Sequence, residues 1–88
     1  MSTEMVKQAE SRTDAVNLCA VVFLNGKSES GFAMRELELP KASAMPTYRL
    51  DVAVNWAIES AWLRRRFHCI ELTAAGVYMA KTRLGLPR

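Results

Sequence analysis

Apolar positions recur at helical spacing in one long stretch of this chain. From Thr47 to about Leu63, the residues Leu50, Ala53, Val54, Ala57, Ile58 and Ala61 fall on one face of a helix. Val52, Trp56 and Leu63 add a second apolar strip, leaving Tyr48, Asp51, Asn55 and Glu59 as a narrow polar arc. A helix apolar over so much of its girth is either central to the fold or shared with a second subunit. Thr13 to Leu24 supports two readings. Val16, Cys19, Ala20 and Phe23 repeat at i, i+3, i+4 and i+7, with Thr13 or Asp14 able to cap a helix. The β-branched pair Val21-Val22 and the following Asn25-Gly26 instead suit a strand entering a hairpin turn.

The remaining segments are shorter. Residues 1–12 are polar and aperiodic and read as a flexible tail, leaving residues 13–88 as a single compact domain. Lys27 to Gly31 is a polar loop. Ala33 to Leu39 reads as a short second helix, with Phe32, Leu37 and Leu39 able to bury and Pro40 as its stop. A turn follows over 41–46, where Ser43 and Thr47 are candidate N-caps for the long helix. Arg64 to Leu72 alternates as an extended segment, with Phe67, Cys69 and Leu72 apolar. Thr73 is placed to cap a last helix from Ala74 to about Leu84, which Gly85 and Pro87 stop.

Composition narrows the class. Half of the 88 residues are apolar, too many for a disordered chain. No apolar run has the length of a membrane span, and the N-terminus lacks the apolar core of a signal peptide, so a cytoplasmic protein is expected. Cys19 and Cys69, each among apolar neighbours, read as two free thiols; with the lone His68 they supply too few ligands for a metal. The net charge of +3 is unevenly spread. Residues 47–88 carry seven Lys and Arg against three Asp and Glu, whereas residues 13–46 carry three against four. A basic C-terminal half suits an anionic partner such as nucleic acid.

In order, the pieces resemble a winged helix-turn-helix domain over roughly residues 14–84. The most similar part is 57–76. There the third helix ends in Ala61-Trp62-Leu63, basic residues Arg64-Arg65-Arg66 enter the wing, and a strand runs through Ile70-Glu71-Leu72 into Thr73-Ala74-Ala75-Gly76. Met34-Arg35-Glu36-Leu37 is similar to the family's short second helix. The resemblance implies a mainly α fold with a small β wing, duplex DNA as partner, and a homodimeric transcriptional regulator. It also implies a third helix lying in the major groove. Here that helix would present Asp51 and Glu59, which repel phosphates, so the arginines are the better DNA contacts.

Arg64, Arg65 and Arg66 are therefore the leading candidates, for phosphates or the minor groove. Lys41, Ser43, Thr47, Tyr48 and Arg49 gather near the long helix's N-terminus, where its free N–H groups could donate to a phosphate, and Asn55 could pair with adenine. Val52, Trp56 and Trp62 are candidates for a dimer or partner interface. No Gly-rich phosphate loop, carboxylate pair or nucleophile–base set stands out, so neither an enzyme nor a cofactor is expected. The competing fold is α+β, an N-terminal β-hairpin over residues 16–39 packed on the long helix. It would make the chain a protein-binding inhibitor or adaptor of the phage or plasmid type, acting on a host protein in the manner of anti-CRISPR proteins.

Overall fold

A computed structural model describes residues 3–26 and 31–87, with backbone alone for residues 3–9. The chain is mainly helical, with one small antiparallel sheet. Helix α1 spans Thr3–Asn25 and is followed by strand β1, Ala33–Arg35. A 3-10 turn over Glu36–Glu38 leads into the short helix α2, Leu39–Ser43. Helix α3 is Thr47–Glu59, strands β2 and β3 are Leu63–Arg66 and Cys69–Leu72, and helix α4 is Ala74–Leu84.

Residues 14–25 are helical, which removes the N-terminal hairpin and the α+β alternative built on it. Asn25-Gly26 acts as a helix stop. The Asn25 side-chain amide donates to the Val21 carbonyl at 2.8 Å, and the Gly26 N–H donates to the Val22 carbonyl at 2.7 Å. A Cβ on Gly26 would lie 2.5 Å from the Ala33 carbonyl oxygen, so glycine lets β1 start hard against the helix end. The helix also begins ten residues before Thr13, through a stretch of good helix formers (Glu4, Met5, Lys7, Gln8, Ala9) that lacks apolar periodicity. Asp14 is accordingly mid-helix and not a cap. The buried stripe is Ala15, Leu18, Cys19 and Val22, with Ala20 buried at its side; of the expected face Cys19 and Ala20 are buried, whereas Val16 and Phe23 are half-buried.

The expected second helix splits in two. Ala33–Arg35 pairs with β3 as a strand, and only beyond the 3-10 turn does α2 begin. Pro40 opens α2, where its missing N–H costs nothing, instead of ending a helix. Leu39 buries fully, whereas the 3-10 turn leaves Leu37 91% exposed. Lys41 and Ser43, expected in a turn, lie in α2, which closes at Ala44 with φ 57°.

Helix α3 buries Leu50, Ala53, Val54 and Ala57, as the spacing predicts. It stops at Glu59, short of Leu63, in a left-handed closure. Ala61 takes φ 62°, and the Trp62 N–H reaches back to the Ala57 carbonyl at 2.9 Å. The cap position is Pro46, with no side-chain cap, so neither Ser43 nor Thr47 caps this helix. The sheet order is β1-β3-β2, and its inner face contributes Met34, Leu63, Ile70 and Leu72 to the core. Helix α1 packs against both α3 and α4, and the Phe23 and Phe32 rings stack at 4.5 Å where the chain turns from α1 towards β1. Thr73 caps α4 by accepting from the Gly76 N–H at 3.0 Å, and Gly85 closes it with φ 70°.

Candidate nucleic-acid interface

Strand alternation sorts the arginines of the wing, the β2–β3 hairpin. Leu63 and Arg65 point to the inner face of the sheet with Ile70 and Leu72, so Arg64 and Arg66 point outward. Across the ladder, Arg64 sits opposite Glu71 and Arg66 opposite Cys69. On the far side of β3, Arg35 is also opposite Cys69. The outward face thus carries a row of Arg35, Cys69 and Arg66, beside a row of Ala33, Glu71 and Arg64.

The three consecutive arginines are not equivalent. Arg64 donates to Glu71 through Nε, at 3.0 Å, and through Nη2. Arg65 lines the cleft towards α3 and donates from Nε to Glu36 at 2.7 Å. Arg66 has no carboxylate partner among the described residues; its guanidinium lies 5.7 Å from the Phe67 ring centroid. Arg35, likewise without a carboxylate partner among the described residues, is an exposed cation on the same face. Sequence reasoning passed over Arg35 because it assigned that residue to a helix. Only the β1–β3 register brings it alongside Arg66.

The wing ends in a two-residue turn. Phe67 and His68 have φ of 50° and 64°, the signature of a type I′ hairpin, which favours Asn-Gly. Both side chains are exposed, Phe67 by 85%.

The second expected cluster does not assemble. Arg49 forms a bidentate pair with Asp14, from Nε at 3.0 Å and from Nη2 at 2.6 Å, and clamps α3 onto α1. Asp14 is only 6% exposed, and its carboxylate raises the Arg49 pKa further through the hydrogen bond and its charge. The Ser43 hydroxyl donates to the Leu39 carbonyl at 2.6 Å and accepts from the Met45 N–H at 3.2 Å. Lys41 is exposed on α2, while Tyr48 borders a hollow with Glu10, Asp14, Arg49 and Val52. The exposed face of α3 displays Tyr48, Asp51, Asn55 and Glu59, as its polar arc predicts, together with Val52 and with Arg49, a half-exposed cation held by Asp14.

Between α3 and the wing lies a cleft of about 550 Å³. Leu39, Leu50, Val54, Pro40 and the exposed Leu37 give it apolar walls, and Thr47, Asp51 and Asn55 face Glu36, Arg65 and His68. Of the proposed interface residues, Val52 is exposed. Trp56 and Trp62 are half-buried against the core, with ring centroids 5.5 Å apart. Among the described residues, no group of three or more His, Cys, Asp or Glu could hold a metal ion, and no helix is long and apolar enough to cross a membrane. The chain matches no family model, no curated protein and no solved structure.

Proposed function

We propose that this chain is a small winged helix-turn-helix protein that binds duplex DNA through its wing, as a homodimeric transcriptional regulator. The order of elements supports the reading: a first helix, a strand, two further helices, then a two-stranded wing whose second strand pairs with the first. The observation that carries it is the outward sheet face, where Arg35 and Arg66 flank Cys69 without a carboxylate partner among the described residues. Arg64 adjoins them but is tied to Glu71, whose side chain is only 13% exposed, so it is the less available contact. The wing would grip phosphates or enter the minor groove. The acidic face of α3 counts against base reading by that helix.

The test is a binding titration of a short duplex against salt. Log affinity should fall linearly with log salt as counterions leave the phosphates, and replacing both Arg35 and Arg66 by Ala should reduce the steepness by about 2. An unchanged slope, or no binding at low salt, sinks the proposal.

One observation favours a second reading, a protein-binding inhibitor or adaptor. The cleft between α3 and the wing has apolar walls and an almost fully exposed Leu37 at its edge. Recovery of one stoichiometric protein partner, with no nucleic acid, would favour it.

A further inference from the structure

Two bulky residues hold the tip of the wing in a conformation that neither favours. At Phe67 and His68, φ is 50° and 64°, the left-handed region where a side chain with a Cβ is strained by roughly 1–2 kcal/mol per residue. Asparagine and glycine fit such a turn at far lower cost. Nor does packing require the phenyl ring, which is 85% exposed and outside the core. Its cationic neighbour, Arg66, reaches over the ring at 5.7 Å. The tip is therefore a projecting aromatic ring beside an uncommitted guanidinium.

The geometry points to Phe67 as a wedge that inserts between neighbouring base pairs of the bound duplex, with Arg66 on the adjoining phosphate. This rests on the DNA reading above and names the residue that deforms the duplex. Apolar side chains that enter the minor groove part the stack at one step and kink the duplex, at the cost of lost stacking. The ring suits that task because it is already in solvent, so inserting it uncovers no core. The guanidinium that lies over the ring would swing off it as the ring inserts and meet the phosphate that the kink draws close.

Two measurements on the full chain test the wedge: thermal melting, and relaxation of a closed-circular plasmid by topoisomerase with saturating protein. Inserting a side chain into the stack unwinds the duplex, so the wild-type chain should change the linking number of the relaxed plasmid. Phe67→Asn should raise Tm, because asparagine tolerates the left-handed turn. The same variant should abolish the linking-number change and weaken duplex binding by about tenfold. Phe67→Leu, which keeps an apolar wedge, should retain most of the unwinding. Binding by the wild type with no change in linking number overturns the wedge and leaves the DNA proposal standing. A Phe67→Asn variant that binds and unwinds like the wild type overturns it as well. No binding at low salt overturns both.

Discussion

Cys19 sits on the stripe of α1 that faces the core, fully buried beside Leu18 and Val22. Burial away from water disfavours the thiolate and pushes the thiol up to about 12 from an ordinary 9.0. The unfolded chain ionises this group first, so the stability tied to the neutral thiol is intact below about pH 9. It is lost as pH rises from there towards 12. Cys19→Ala should be less stable than wild type at pH 7, because it removes buried sulfur. That deficit should shrink as urea denaturation is repeated from pH 8 to pH 11. A thiol reagent at neutral pH should modify Cys69, which is half-buried on the wing, well before Cys19. Equal rates at the two sites would contradict the burial of α1's inner stripe.

At the scale of elements, the chain packs backbone against backbone between the wing and α4. The Trp62 carbonyl accepts from the Thr73 N–H at 3.0 Å, and Gly76 lies directly over it. A Cβ on Gly76 would come within 1.9 Å of that carbonyl oxygen and 2.9 Å of the Leu72 side chain. Neither neighbour can yield, because the carbonyl is backbone and Leu72 is core. Gly76→Ala should therefore cost about 3 kcal/mol in chemical denaturation, an overpacking penalty, although alanine is the better helix former. A neutral result would mean that α4 docks elsewhere.

The same scale shows what the sequence can and cannot reveal. Helices α3 and α4 and the wing were legible because their signals are local: apolar spacing in α3, Thr73 and Gly85 at the ends of α4, alternation over 64–72. The segment 33–43 was misread because its structure depends on a partner distant in sequence. β1 is a strand only because Met34 and Arg35 find Ile70 and Cys69. The Arg49–Asp14 pair was hidden for the same reason, and with it the structural use of a residue that looked free to bind phosphate.

At the scale of the whole molecule, charge is sorted between two surfaces. The sheet gathers Arg35 from β1 and Arg64, Arg65 and Arg66 from β2, of which Arg64 and Arg65 pair with Glu71 and Glu36. The exposed face of α3 displays Asp51 and Glu59, and its one cation, Arg49, is already paired with Asp14. On the DNA proposal, an anionic duplex would be drawn to the first surface and away from the carboxylates of the second, with the cleft between them. The triple arginine run, which looked like one patch, divides into two committed side chains and one uncommitted, and its strongest ally is Arg35 from another strand. The most direct test is amide chemical-shift mapping of the full chain titrated with a short duplex at low salt. The account predicts that the largest shifts fall at Arg35 and over residues 64–69, with little change at Asp51, Asn55 and Glu59. Shifts concentrated on the exposed face of α3, with the wing unmoved, would contradict it.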